Sequence, residues 1–110
     1  MGESPSGGGI SGPFTAPQVD IQAAMLPGAP PRYPTMLKES GVEGGVVVRF
    51  VVDTTGRVES SSVRVVSSTH DLFTAAVRAA LPSLRFKPAS AGGRLVRQLV
   101  ELPFEFAMER

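Results

Sequence analysis

The chain has no cysteine, no tryptophan and a single histidine among its 110 residues. Without cysteine there is no disulfide framework and no thiolate nucleophile, and the redox compartment is left undetermined. A zinc centre needs three or four ligands, and no second histidine accompanies His70. A strong charge of either sign is missing too: eleven basic and ten acidic side chains give a formal charge of +1. The basic residues stand singly, whereas phosphate binding needs a concentrated basic surface, so nucleic acid is not an expected partner. No apolar run approaches the roughly 20 residues that span a bilayer. Met1-Gly2-Glu3-Ser4 also lacks the basic and apolar regions of a secretory signal.

Glycine and proline are plentiful but unevenly placed. Residues 1–31 hold half of the glycine, most of the proline and few large apolar side chains. Residues 1–30 are therefore expected to be a flexible Gly/Pro-rich linker, and residues 31–110 one domain with its core in Tyr33–Met108. Within the linker, Phe14–Leu26 is ambiguous. Either Val19, Ile21 and Leu26 pack loosely on the domain, or a helical turn forms around Ile21-Gln22-Ala23-Ala24. Pro27–Pro31 then breaks any regular structure.

From Tyr33 the pattern becomes regular. Pro34 suits the first turn of a two-turn helix through Ser40, and Gly41 is a natural left-handed stop. Gly45–Asp53 alternates as a strand, with Val46, Val48, Phe50 and Val52 on one face. Asp53-Thr54-Thr55-Gly56 is a hairpin loop, and the return strand runs from Arg57 to about Ser67. Its apolar phase changes between Val58 and Val63, which predicts a bulge near Ser60–Ser62. Ser68 with Asp71 resembles a capping box, and Leu72, Phe73, Ala76, Val77, Ala80 and Leu81 recur at helical spacing until Pro82. Leu84 and Phe86 lead into a loop over Pro88–Arg94 with Gly92-Gly93 at its tip. A last strand follows from Leu95 to about Met108. Its shared apolar face (Val96, Val100, Leu102, Phe104, Phe106, Met108) is interrupted by Gln98.

The order α-β-β-α-β implies an α+β fold. The hairpin strands are antiparallel neighbours, and a right-handed crossover places the last strand beside the first. The expected sheet is antiparallel, three-stranded and ordered 2-1-3, with both helices on one face and two strands left as edges.

Catalysis has little support. His70 beside Asp71 invites a general-base reading, but adjacent helical residues point in different directions, and a solvated first-turn residue is the simpler account. Gly7-Gly8-Gly9 and Gly44-Gly45 lack the helix and the lysine that a phosphate loop requires. Neither enzyme, cofactor nor metal is expected.

Taken in order, several short motifs resemble one known family. They are Tyr33-Pro34; Gly41-Val42-Glu43-Gly44; Val48-Arg49-Phe50-Val51-Val52-Asp53 with Gly56-Arg57-Val58; Val63-Arg64-Val65-Val66-Ser67-Ser68; the Ala75-Ala76 helix; Arg85-Phe86-Lys87-Pro88-Ala89; Gly92-Gly93; and Pro103-Phe104-Glu105-Phe106. Each is weak alone, but their shared order over roughly Pro31–Met108 resembles the TonB C-terminal family. Leu84 stands where an aromatic is common, and Arg94-Leu95 replaces a frequent basic-Pro pair. These departures bear on partner choice and leave the fold expectation intact. The resemblance implies the periplasmic domain of an inner-membrane-anchored energy transducer, with the anchor absent from this chain. It implies drive from an ExbB–ExbD-like proton-motive complex. It further implies capture of the TonB box, a short extended segment of an outer-membrane transporter, for uptake of nutrients such as iron chelates.

An uncovered sheet edge is a physical template for such capture. The last strand is the expected edge because Pro103, lacking an N–H, is tolerated where its nitrogen faces outward. Arg97, Leu99 and Glu101 then offer their backbone groups to the same side. Pro103 either ends the ladder or only protects the edge from aggregation. Tyr33 and Pro34 either contact an incoming segment or staple the first helix to the core, and Arg32 and Arg97 either meet acidic partner residues or, as is more common for such residues, are simply solvated. The alternative occupant is a second copy of the chain, in a structural or dimerisation domain that exchanges its last strand.

Overall fold

The computed structural model describes residues 12–109. Most of the Ser4–Gly12 linker expectation therefore lies outside the described residues. The centre of the fold is β2 (Gly44–Val52), which pairs antiparallel with β3 (Arg64–Ser68) on one side and β7 (Gln98–Phe106) on the other. This is the 2-1-3 arrangement. Strict alternation puts Val46, Val48, Phe50 and Val52 on the inner face, each at most 1% exposed. Helices α1 (Thr35–Glu39) and α2 (Asp71–Ala80) cover that face with Leu37, Phe73 and Val77. Phe73 stacks on Phe106 of β7 at 4.3 Å between ring centroids. Burying each such side chain contributes about 1.5–3 kcal/mol, which is what holds a helix as short as α1 in place. The other face carries exposed Arg49 and Glu101, as expected of an antiparallel sheet with one solvated side.

The hairpin after β2 is held by one carboxylate. Asp53 Oδ1 accepts the Thr55 N–H (2.8 Å), the Thr55 hydroxyl (2.6 Å) and the Arg57 N–H (3.0 Å). The Thr55 side chain, followed by those backbone donors and the Arg57 charge, lowers the Asp53 pKa against an opposing burial effect. Gly56 sits at φ +86°, and its carbonyl accepts the Phe86 N–H at 2.8 Å. A Cβ there would stand 2.0 Å from the Phe86 carbonyl oxygen, so only glycine fits.

Three expectations need correction. The phase change after Val58 comes from a 3₁₀ turn at Ser60–Ser62 and not from a bulge there. Ser62 Oγ accepts the Val51 N–H (2.8 Å) and donates to the Glu59 carbonyl (2.6 Å), so a hydroxyl replaces a ladder partner and the strand can break. The bulge proper lies further on, where Val47 faces Ser67 but Val48 faces Val65, leaving Val66 as the extra residue. Second, β3 extends to Ser68, so α2 is capped by His70, whose Nδ1 accepts the Leu72 N–H at 3.0 Å. Ser68 Oγ accepts instead from the His70 N–H and the Thr74 hydroxyl. Third, the expected last strand is split. β6 (Arg94–Val96) folds back on β5 (Ala89–Ala91) around Gly92 and Gly93, both at positive φ, and β7 starts only at Gln98.

Residues 14–26 lie along the domain without forming a helical turn at Ile21–Ala24. Phe14 bridges to Gln98 in the parallel sense, Ile21 bridges to Ser90, and β1 (Ala24–Met25) pairs with β4 (Phe86–Lys87). The contacts run mainly through backbone: Ile21, Met25 and Leu26 stay 58%, 48% and 46% exposed.

Candidate functional site

The outer edge of β7 is defined by backbone parity. Val51 faces Leu99, Arg49 faces Glu101 and Val47 faces Pro103. The Val51 N–H and C=O are used on the β3 side, by Ser62 Oγ and by the Glu59 N–H. Val51 and Leu99 are therefore a non-hydrogen-bonded pair, and the Leu99 backbone groups point away from β2. The Leu99 N–H does point outward, to the Phe14 carbonyl at 2.8 Å. With a period of two, Glu101 and Pro103 face the same way. The missing N–H of Pro103 thus costs no bond within the sheet.

This edge is not bare. The Phe14 N–H donates to the Arg97 carbonyl at 2.8 Å, and with the Leu99 bond it makes one parallel bridge. Of the backbone groups expected on the free side, the Arg97 carbonyl and the Leu99 N–H are thus engaged by the chain's own N-terminal arm. Past Leu99 the pairing stops: among the described residues no backbone group bonds to the outward N–H or C=O of Glu101. A notch of about 370 Å3 opens there, lined by Thr15 and Ala16 of the arm, Arg49, and Leu99, Glu101 and Leu102 of β7.

The side chains around the edge are largely paired. Arg97 grips Glu59 through Nε (2.6 Å) and a second guanidinium nitrogen (2.8 Å). That hydrogen bond lowers the Glu59 pKa and raises that of Arg97, each against some desolvation. Arg49 meets Glu101 at 2.7 Å with both side chains about half exposed, a pair worth about 0–1 kcal/mol. Tyr33 packs edge-on against Phe73 and Phe106 and donates its hydroxyl to the Val42 carbonyl, so it ties the start of α1 to the core. Partial burial, and then the Glu43 charge, raise its pKa. Pro34 is the N-cap of α1 and Arg32 is exposed. Arg32 lines a hollow with Ala76 and Ala80 of α2, and Tyr33 sits by Phe106, at the opposite end of β7 from Leu99. At ~3.3 Å per residue that is roughly 23 Å along the strand, so the expected site residues form two groups.

Two contributors escaped the sequence reading. Gln98 is 1% exposed, and its Oε1 accepts the Ala23 N–H at 2.7 Å, which fixes the base of the arm. Its signal was visible as the one polar residue in an apolar face, since a buried amide needs a partner. Phe14 gave no signal, because backbone pairing does not depend on residue type. Among the described residues no cluster of His, Asp or Glu could hold a metal, and no helix is long and apolar enough to cross a membrane.

The domain is a small α+β unit, a three-stranded antiparallel sheet with two helices on one face and a longest outer strand whose edge is only partly covered. The comparisons with known proteins give it a family. A sequence model described as the Gram-negative bacterial TonB protein C-terminal matches residues 29–108. The chain is 35% identical over 81 residues to Protein TonB of Pseudomonas aeruginosa, covering 74% of this chain and 23% of that protein. It is 33% identical over 90 residues to Protein TonB of Xanthomonas campestris pv. campestris, covering 82% and 39%. The solution NMR structure of the Pseudomonas aeruginosa TonB CTD superposes with a TM-score of 0.66 at 31% identity, over 87% of this chain and 94% of that one. The chain belongs to the TonB C-terminal family. It spans only 23–39% of the length of these curated relatives.

Proposed function

We propose that this chain is the periplasmic, partner-gripping end of a TonB-type energy transducer. It is a binding module and not an enzyme. In this reading it captures the TonB box of an outer-membrane transporter by strand addition to β7. A segment outside this chain anchors it in the inner membrane, where an ExbB–ExbD-like complex supplies work from the proton-motive force for nutrient uptake. The observation that carries the reading is the outward row Leu99–Glu101–Pro103 on the edge strand of a TonB C-terminal domain. Backbone hydrogen bonds give affinity with little demand on the partner's sequence, which suits one transducer serving several transporters.

The test is an NMR titration of the chain with synthetic TonB-box peptides. The expected result is that the Leu99 to Leu102 amides shift most, while the outer edge of β3 (Arg64–Ser68) is silent. Shifts confined to β3, or no saturable shift, would remove the reading. Sedimentation over a range of concentrations checks the other occupant, a second copy of the chain, which would appear as a concentration-dependent mass.

A further inference from the structure

The arm residues 12–19 touch the domain in an unusual way. Between Phe14 and Asp20 the hydrogen bonds among the described residues are internal to the 3₁₀ turn: Gln18 N–H to the Thr15 carbonyl, Val19 N–H to the Ala16 carbonyl, and Thr15 N–H and hydroxyl to Gln18 Oε1. Thr15–Gln18 are exposed. Among the described residues, the backbone bonds that hold this tip to β7 are the two made by Phe14, to the Arg97 carbonyl and the Leu99 N–H. The base of the arm is anchored separately and more heavily. Asp20 and Ile21 bond to Ser90, Asp20 Oδ2 accepts the Gly92 N–H, Ala23 bonds to Gln98, and β1 pairs with β4. The tip can therefore lift while the base stays in place, since a segment with few contacts opens first.

Phe14 satisfies groups on β7 that face the same way as the open groups of Glu101. A partner strand extending along β7 past Leu99 needs those groups as well, and one N–H cannot serve two strands. We infer that Phe14 is a resident, tethered competitor for the β7 edge: an incoming extended segment replaces it to occupy the full length of the edge, and the Glu101 groups in the notch are the first foothold. The inference rests on the strand-addition reading above and adds to it a displacement step and a named displaced residue.

The experiment uses the full chain and Phe14→Pro, with a synthetic TonB-box peptide as probe. Proline at 14 removes the N–H given to Arg97 while leaving the segment extended. Two quantities are measured: hydrogen exchange of the Leu99 amide without peptide, and peptide affinity by calorimetry. Faster Leu99 exchange in the variant, with affinity raised about two- to tenfold, is the expected result, since one intramolecular bond no longer competes. Capture by the variant alone also supports the inference. If Leu99 exchange accelerates but the affinity is unchanged or falls, Phe14 does not compete, and strand addition survives without it. If Leu99 exchange is the same in both proteins, Phe14 does not guard the edge and the inference is overturned. Absence of binding by both proteins overturns strand addition itself, and the displacement step with it.

Discussion

Replacing Glu101 by proline separates the fold from the proposed site. The Glu101 N–H faces away from β2, at the same parity as Pro103, so the substitution removes no bond of the β2–β7 ladder. What the fold loses is the ion pair with Arg49, half exposed at both ends and worth about 0–1 kcal/mol. Val100→Pro is the matched control one residue away. Val100 faces Phe50 in a hydrogen-bonded pair, so that proline leaves a Phe50 carbonyl unsatisfied next to a fully buried side chain. The orphaned group alone costs about 1–3 kcal/mol. Urea denaturation should place Glu101→Pro within about 1 kcal/mol of the parent chain, with Val100→Pro clearly lower. For a docked strand, Glu101→Pro removes one donor, about 0.5–1.5 kcal/mol or roughly two- to twelvefold in affinity, before any ring clash. Calorimetry with a TonB-box peptide measures that loss. If Glu101→Pro destabilised the fold as much as Val100→Pro, the parity assignment would be wrong. An unchanged peptide affinity in a folded Glu101→Pro protein would mean that β7 is not the platform.

Three further outcomes are expected. Gly56→Ala forces a side chain into positive φ and into the Phe86 carbonyl, so urea denaturation should show a loss of about 1–3 kcal/mol or more. The Glu59 pKa is lowered in the fold, so its pairing with Arg97 stabilises above the unfolded carboxyl range and fades as pH falls through the folded value. The stability gap between the parent and Glu59→Gln should accordingly be present at pH 7 and shrink as acid protonates the folded carboxylate, and it should be small because the pair is partly exposed. Gln98→Leu removes the acceptor of the Ala23 N–H. Hydrogen exchange at Ala23 should accelerate, while the Leu26 amide, bonded to Arg85, keeps its protection.

The sheet was readable because its information is periodic and carried by side chains. Val46, Val48, Phe50 and Val52 alternate without error, and Phe73 with Val77 marks the buried side of α2. Pro103 likewise disclosed which way the β7 edge points, because a residue without an N–H reports the direction its nitrogen faces. The misplaced details share a different cause. The Ser60–Ser62 turn depends on one hydroxyl replacing a strand partner, and the His70 cap depends on β3 running two residues further than its apolar pattern. The arm was least readable of all. It is held by backbone groups at Phe14, Ile21 and Ala24–Met25, while Ile21, Met25 and Leu26 remain exposed, so its docking leaves almost no imprint on residue type.

The two outer strands are unequal templates. β3 spans five residues and is interrupted where Val66 bulges out of register, and a bulge twists an edge away from further pairing. β7 spans nine residues in unbroken register with β2 and already accepts a parallel bridge from Phe14. Strand addition is therefore favoured on β7 by regularity as well as by parity. If Phe14 and a partner strand exclude each other there, linkage makes the effect reciprocal: capture loosens the arm tip by the same factor by which lifting the tip strengthens capture. Phe14 lies on the N-terminal side of the Ser90, Gln98 and β4 anchors, so a pull applied through the chain before Phe14 reaches its two bonds before theirs. Tension from that direction would then open the edge while leaving the base of the arm and the core in place, and would favour a captured strand over the arm that guards it.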